Sequence, residues 1–392
     1  MEENKKNKIP NVPNLRFNYE GDYTETLIGD LIIQKGKRAK GRELEYKAYS
    51  INNQTGFSVQ EEQWGDASYT KLEKNGYKVI ENNDLAYNPA RINVGSVGLY
   101  KEQTPCIVSS LYVCFATKPK LIPDYLFKYL KSEKFNKKVL STQEGGVRTY
   151  FFYDKLQKTK MFIPTLSEQK KVNDFLNCIN ERIDTQNKII EEYQALKNCI
   201  FDAIILESRK IGTCKINKII EEYNVKTTID KEYPVLSSTA SGIYFQNEYF
   251  NKEAASENTT GYKCVPMGYC TYRSMSDTGR FYFNIQSITD VGIVSPAYPV
   301  FSVIEDSALF LVSVLNSDKT IINEILKLKA GGTRFSLPFK KLVELEVPWP
   351  DHQTRKHFMK MIRNIIQKID LEQKILAKYT DQKNYLLNNM FI

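Results

Sequence analysis

The stretch VNDFLNCINERIDTQNKIIEEYQALKNCIFDAI, residues 172–204, decides the fold of this chain. Its apolar residues recur at alternating intervals of four and three, the a and d spacing of a helix that packs against a second helix. The stretch FMKMIRNIIQKIDLEQKILAKYTDQKNYLLNNM, residues 358–390, has the same spacing 186 positions later, polar interruptions included. The polar seam positions are Gln186 and Lys197 in the first stretch and Glu372 and Lys383 in the second. The sequence therefore predicts two long helices that pair with each other.

The rest of the chain is also a tandem repeat with an offset near 186 residues. Gly145-Gly146-Val147-Arg148 recurs as Gly331-Gly332-Thr333-Arg334. Further matches, separated along the chain, are Gly76-Tyr77-Lys78 with Gly261-Tyr262-Lys263, Val108-Ser109 with Val294-Ser295, and 130–134 with 315–319. The two copies cover roughly residues 21–207 and 208–392.

Each copy predicts a globular part followed by a helix. Short strand-like runs at 27–33, 46–51 and 106–115 are separated by Gly, Asn and Pro clusters. Pro164 and Pro348 precede Ser167 and Asp351, which are good helix N-cap residues. The expected segments are an N-terminal arm at 1–20, a first recognition domain at 21–165, a first spacer helix at 166–207, a second recognition domain at 208–350 and a second spacer helix at 351–392.

The connection lengths predict how the helices run. The second globular part begins directly after the first helix, so the second helix must return along the first if domain termini lie close together. The predicted fold class is α/β (α+β): two similar lobes separated by an antiparallel two-helix coiled coil, in a dumbbell with a pseudo-two-fold axis.

Composition excludes several classes of protein. With 42% hydrophobic residues the chain can bury a core, and the longest apolar run, 111–116, is too short to cross a membrane. The first ten residues contain no apolar stretch, and the seven cysteines form no C-x-x-C pair. We therefore expect a cytoplasmic protein that is not a membrane protein.

Charge points to a polyanionic or acidic partner, since 55 Lys and Arg against 46 Asp and Glu give a net charge of +9. His352 and His357 are the only histidines, and their spacing does not fit a zinc helix. The common glycine-rich nucleotide loops are missing from the sequence. We expect no catalytic residue, no metal and no cofactor.

Two similar lobes on a rod suit a protein that reads two DNA half-sites at a fixed separation. About 40 helical residues would span about 60 Å, more than one duplex turn of about 34 Å. Loop-like positions carry Lys35, Lys37, Arg38, Lys40 and Arg42 in copy one and Arg273 and Arg280 in copy two. A solvated loop is the alternative for the 35–42 cluster.

Several motifs together resemble the specificity subunits of Type I restriction-modification systems. These are 13–17 followed by 27–31, the run 86–93 with Gly95-Ser96-Val97-Gly98, 294–298, the two Gly-Gly-x-Arg motifs, and Ile163-Pro164 ahead of Glu168-Gln169. Copy two departs from the pattern at 272–275, and His352, counted from the proline, replaces Glu168. The resemblance covers essentially the whole chain.

The resemblance implies two target-recognition domains, each reading half of a split sequence in double-stranded DNA. The paired helices would set the spacing and dock two modification (methyltransferase) subunits; whether restriction subunits also join is left open. The candidate DNA-binding residues are Lys35, Lys37, Arg38, Asn88, Arg91, Arg148, Tyr272, Arg273, Arg280 and Arg334. We expect backbone phosphate contacts from Arg148 and Arg334, with internal hydrogen bonding as the alternative.

Two enzymatic alternatives remain. Residues 88–91 partly match the N-P-P-aromatic loop of amino-methyltransferases, although the second proline and the aromatic residue are missing. Asp30, Glu45 and Lys47 have the spacing of a Mg²⁺-dependent nuclease motif, which copy two lacks. A stand-alone methyltransferase or nuclease is thus the alternative to a non-catalytic specificity subunit.

The polar seam residues predict the helix register. Buried polar side chains select the alignment in which they pair. Placing Glu372 opposite Lys197 also places Gln186 opposite Lys383, so we expect this alignment.

Overall fold

The computed structural model describes residues 12–17, 21–41, 43–61, 74, 76–142, 150–249, 258–327 and 335–392. The chain divides into two compact units. The first comprises residues 1–187 together with 374–392, and the second comprises 188–373. Both long helices contribute one segment to each unit, so each unit is described by itself.

The first repeat contains ten strands and five helices within its described residues. The strands are β1 (Thr24–Leu27), β2 (Ile32–Gln34), β3 (Ala48–Asn52), β4 (Gly56–Val59), β5 (Lys78–Ile80), β6 (Leu85–Tyr87), β7 (Val97–Leu99), β8 (Cys106–Val108), β9 (Val113–Thr117) and β10 (Lys160–Ile163). The helices are α1 (Ile28–Leu31), α2 (Pro123–Leu130), α3 (Glu133–Ser141), α4 (Tyr153–Gln157) and α5 (Leu166–Ile211).

The second repeat has the same kinds of element in a similar order. Its strands are β11 (Thr213–Lys215), β12 (Ile220–Glu222), β13 (Leu236–Thr239), β14 (Gly242–Phe245), β15 (Lys263–Pro266), β16 (Cys270–Tyr272), β17 (Met275–Ser276), β18 (Phe283–Ile285), β19 (Val291–Val294), β20 (Val300–Val303), β21 (Phe335–Ser336) and β22 (Glu346–Pro348). Its helices are α6 (Gln246–Tyr249), α7 (Ala308–Ser317), α8 (Lys319–Lys327), α9 (Phe339–Leu342) and α10 (His352–Asn389).

Equivalent four-stranded sheets confirm the tandem repeat. The order β2-β9-β6-β7 in the first repeat corresponds to β12-β20-β16-β18 in the second. All pairs in both sheets are antiparallel. The central strands β6 and β16 are completely buried, as apolar runs between two neighbouring strands should be. The helices α3 and α8, α4 and α9, and α5 and α10 each begin 186 residues apart.

The helical core of the first repeat lies against its sheet. Pro123 occupies the first turn of α2, where its missing N–H costs nothing, and the helix buries Tyr125, Leu126 and Tyr129. Ser132 caps α3 by accepting a hydrogen bond from the Phe135 N–H at 3.3 Å. These side chains form one apolar cluster with the start of α5.

The first unit also contains the end of α10. Val172, Leu176 and Ile179 of α5 share an apolar cluster with Leu386 and Met390 of α10. The ring of Phe391 lies 5.1 Å from that of Tyr125 and 5.8 Å from that of Tyr129, and Lys134 Nζ donates to the Phe391 carbonyl at 2.6 Å. The beginning of one helix therefore meets the end of the other, which is an antiparallel arrangement.

In the second unit the same two helices are again antiparallel. The rings of Phe201 and Phe358 lie 5.1 Å apart, and Lys368 Nζ lies 5.8 Å from the ring centre of Tyr193. Residue numbers on α5 thus rise as those on α10 fall. The predicted antiparallel helix pair is confirmed in each unit.

The predicted register is wrong. Lys197 lies about 6 Å along the axis from Phe201, whereas Glu372 lies about 21 Å from Phe358 in the same direction, at 1.5 Å per residue. Glu372 therefore sits about 15 Å from the level of Lys197. The expected pairing of Gln186 with Lys383 depended on the same register. Aromatic packing sets the alignment, because buried Glu372 finds its cation in its own helix, at 2.7 Å from Lys368 Nζ.

The helix starts also correct the alignment that matched His352 with Glu168. Because α5 begins at Leu166 and α10 at His352, Thr354 and Arg355 correspond to Glu168 and Gln169. Among the described residues, no helix is both long and apolar enough to cross a membrane. All seven cysteines are free thiols.

Candidate nucleic-acid interface

A polar groove of about 610 Å³ lies beside the end of β16 in the second unit. Hydroxyl groups, an amide and two guanidinium groups can hydrogen-bond to base edges and phosphates. The residues that line the groove are Ser237, Ser238, Thr239, Ala240, Gln246, Arg273, Met275, Ser276, Asp277, Thr278, Arg280, Phe281, Tyr282 and Tyr298. The structure thus brings Arg273 and Arg280, predicted separately from the sequence, into one site.

Arg280 is held in place by its own unit. Its Nη2 donates to the Asn316 carbonyl, and its guanidinium lies 5.6 Å from the ring centre of Tyr282. Asn316 is fixed in turn by two hydrogen bonds with the Phe283 backbone, at 2.9 and 2.7 Å. The Arg280 side chain therefore has one defined position on the wall of the groove.

Arg273 differs, because its backbone is fixed and its side chain is exposed. On one side, Ser274 Oγ donates to the Ala297 carbonyl at 2.7 Å, and the Leu337 N–H donates to the Ser274 carbonyl at 2.9 Å. On the other side lies buried Tyr272. The Arg273 guanidinium forms no hydrogen bond or ion pair with the residues that the structure describes. Its fork of donors can therefore take a base edge or a phosphate.

Tyr272 is not part of the interface, and its prediction as a DNA-binding residue is wrong. Its side chain is fully buried in the core, and its hydroxyl donates to the Leu337 carbonyl at 3.0 Å. Tyr87 occupies the equivalent place in β6 and is also fully buried. An aromatic ring at the end of a central strand packs under the sheet instead of facing solvent.

In the first repeat, the residue after the central strand is Asn88, and it forms a turn. Its Oδ1 accepts from the Ala90 N–H at 3.0 Å, and its carbonyl accepts from the Arg91 N–H at 3.0 Å. The turn leaves the Arg91 side chain exposed, and Arg91 forms no side-chain hydrogen bond with the described residues. Arg91 is thus the available cation of this loop, whereas the Asn88 oxygen is already used.

The basic cluster near β2 separates into paired and exposed cations. Lys35 Nζ lies 2.9 Å from Glu81 Oε2 and 3.6 Å from Asp84 Oδ1. This hydrogen bond with Glu81 raises the pKa of Lys35, and burial raises the pKa of Asp84. Lys37 and Arg38 are exposed, and the Lys37 carbonyl accepts from the Val79 N–H at 2.8 Å. Lys37 and Arg38 can therefore meet a ligand more readily than Lys35.

Arg148 and Arg334, with their Gly-Gly motifs, and Arg42 lie outside the described residues. Their predicted phosphate or loop roles stay predictions.

Two buried residues that sequence reasoning missed anchor the starts of the long helices. Gln169 Nε2 donates to the Pro164 and Lys120 carbonyls, both at 3.0 Å, and Gln169 Oε1 accepts from the Ile122 N–H at 2.9 Å. Arg355 lies 4.3 Å from the ring centre of Trp349, and its Nε donates to Ser307 Oγ at 3.0 Å. The 186-residue offset, applied to Gln169, would have identified Arg355.

The enzymatic alternatives gain no support from the geometry. Within the described part of the chain, no group of three His, Cys, Asp or Glu side chains is placed to hold a metal ion. Asp30 lies exposed in α1, and Asn88 is engaged in its turn.

Comparison with known proteins identifies the domain. Residues 21–195 match the family model described as the Type I restriction modification DNA specificity domain. No curated protein sequence matches the chain significantly.

Solved structures share the fold over almost the whole chain. One is the Type-I restriction-modification system S subunit from M. genitalium, with a TM-score of 0.54 at 16% identity, covering 97% of this chain and 99% of that one. A second, from a study of complex assembly and conformational transition of the type I R-M system, has a TM-score of 0.59 at 11% identity, covering 95% and 98%. This chain therefore belongs to the DNA specificity subunits of Type I restriction-modification systems.

Proposed function

We propose that each repeat reads one half of a bipartite sequence in double-stranded DNA. The observation that carries the proposal is the contrast at one equivalent position. Arg273 follows β16 with an exposed, unpaired guanidinium, whereas Asn88 follows β6 with its side-chain oxygen bound in a turn. Equivalent sheets that present different side chains at the same place suit two different half-sites.

Within the second repeat, Arg273 reads a guanine and Arg280 holds the groove. Arginine pairs in a bidentate manner with O6 and N7 of guanine in the major groove. Arg273 has all its donors available on a fixed backbone, as such a contact requires. Arg280 already donates to Asn316, so its remaining donors suit a phosphate or a supporting contact.

We further propose that the chain has no catalytic activity and no cofactor of its own, and that two modification subunits supply methyl transfer. The faces of the long helices support docking, because both carry exposed apolar side chains. On α5 these are Phe175, Leu196 and Leu206, and on α10 they are Met361, Ile366, Leu371 and Tyr385. The free thiols, two of them exposed, suit the cytoplasm, where thiols stay reduced.

Co-expression with the modification subunits, followed by mapping of methylated adenines, tests the proposal. We expect one split sequence to be methylated. Exchanging residues 21–160 for the corresponding part of another specificity subunit should alter only one half of that sequence. If both halves change together, the repeats do not read independently. Methyl transfer by the purified chain alone would contradict the non-catalytic assignment.

A further inference from the structure

A second groove, about 830 Å³ in volume, lies in the first unit between α3, α4 and the start of β10. It is distant in sequence from the loops discussed above. Four lysines and three hydroxyl residues line it, without a carboxylate: Lys138, Ser141, Thr142, Lys155, Lys158, Thr159 and Lys160. We call it the lysine groove.

The four lysines have different partners. Lys138 Nζ donates to Tyr129 Oη at 3.0 Å and to the Lys160 carbonyl at 2.8 Å, so it holds the wall of the groove together. Lys160 Nζ lies 3.3 Å from Glu25 Oε2. Lys155 and Lys158 form no ion pair or side-chain hydrogen bond with the described residues. Two cations of the groove are therefore available to a ligand.

The tandem repeat supplies an internal comparison. Because α3 and α8, α4 and α9, and β10 and β22 begin 186 residues apart, each lysine has a structural counterpart in the second repeat. The counterparts of Lys138, Lys155, Lys158 and Lys160 are Glu324, Lys341, Glu344 and Glu346. Three of the four positions therefore have the opposite charge.

The second repeat also neutralises its remaining lysine. Lys341 Nζ lies 3.2 Å from Glu344 Oε2, and Glu346 Oε1 accepts from Thr213 Oγ1 at 2.6 Å. A packing requirement shared by the two repeats would preserve the charge at these positions. The unpaired lysines of the first repeat therefore serve something that the second repeat does not bind here.

We propose that the lysine groove is a binding site for DNA phosphates that belongs to the first repeat alone. The proposal rests on the DNA-binding function proposed above and adds an asymmetry to it. Lysine binds phosphate as a compact point charge, and neighbouring hydroxyl groups can donate to phosphate oxygens. Such contacts add affinity without reading sequence, so this groove strengthens binding while base-edge contacts elsewhere choose the site.

The test compares matched variants in the two repeats. Lys155→Gln with Lys158→Gln removes both available cations, and Lys341→Gln removes the paired lysine of the second repeat. Binding of the full chain, with and without modification subunits, to a random-sequence duplex is measured over a series of salt concentrations. We expect the double variant to lower the slope of log K against log salt by about 1.8, or about 0.9 for each phosphate that is no longer neutralised. Affinity at 0.1 M salt should fall about 10- to 100-fold, while Lys341→Gln should leave both quantities unchanged.

A change of sign in the second repeat provides a gain-of-function test. Glu344→Lys with Glu346→Lys should steepen the salt slope. Lys158→Gln alone, at an exposed side chain, should lower it by about 0.9. An unchanged slope in the first-repeat variants overturns the proposal. So does an unchanged slope with loss of modification-subunit binding, which would make the groove a protein-docking surface.

The proposed half-site function is judged separately. The double variant should still methylate the same sequence, because the phosphate contacts that it removes carry no base information. An altered methylated sequence would place base readout in the lysine groove and contradict the assignment. A domain exchange that altered both half-sites would contradict modular recognition, while the salt slope would still test the lysine groove.

Discussion

The ring of Phe201 on α5 meets the ring of Phe358 on α10 edge to face, with centroids 5.1 Å apart and planes at 87°. Phe358 also contacts Phe310 of α7 in the same manner, at 5.2 Å. Both helices are thereby tied to the globular core of the second unit. This contact fixes which residues of the two helices face each other in that unit.

Replacing Phe358 with Ala should destabilise the second unit by about 3–5 kcal/mol, the usual cost of removing a buried phenylalanine. The measurement is denaturant-induced unfolding monitored by circular dichroism. Met361→Ala serves as the control, because Met361 is exposed one turn away on the same helix. Equal stability of the two variants would show that the aromatic contact contributes little.

Arg355→Ala should destabilise the second unit by about 2–3 kcal/mol, because it removes buried charge-assisted hydrogen bonds to Pro350 and Glu305 and the packing on Trp349. Arg355→Gln introduces the residue that anchors α5 at Gln169, so it should retain part of the stability. Chemical unfolding of the three proteins checks the order. An alanine variant as stable as the wild type would show that Arg355 does not anchor the helix.

Arg273→Ala should relax specificity at one base pair of one half-site, reducing discrimination by about 1–3 kcal/mol. Arg280→Ala should instead weaken binding to all sequences, because its guanidinium supports the groove wall. Competition binding against a set of single-base variants, with the modification subunits present, distinguishes the two effects. Unchanged discrimination in the Arg273 variant would remove it from base readout.

Lys37→Ala should reduce the salt dependence of DNA binding more than Lys35→Ala does. Lys35 is neutralised by Glu81 and Asp84, whereas the Lys37 side chain is exposed. Removing a phosphate-binding cation at Lys37 should lower the salt slope by about one. Lys35→Ala should mainly affect stability, because Asp84 is almost fully buried and loses its nearby cation. A larger slope change for Lys35→Ala would reverse the assignment.

The sequence alone determined the repeat, the paired helices, their start positions and their antiparallel direction. Periodic apolar residues, helix caps and connection lengths are local properties, and a matching second copy confirms each of them. The register was different, because Glu372 can be neutralised either across the helix pair or by Lys368 four residues away, and a seam pattern does not distinguish these.

Only the tertiary structure decided which cations are available to a ligand. Arg273 and Arg280 are seven residues apart and look equivalent in the sequence, yet Arg280 is engaged by Asn316, 36 residues away. Lys35 is engaged by Glu81, 46 residues away, and Tyr272 is buried by the strands beside it. A side chain's exposure and partners depend on residues that folding brings together from distant parts of the chain, and the sequence does not state those distances.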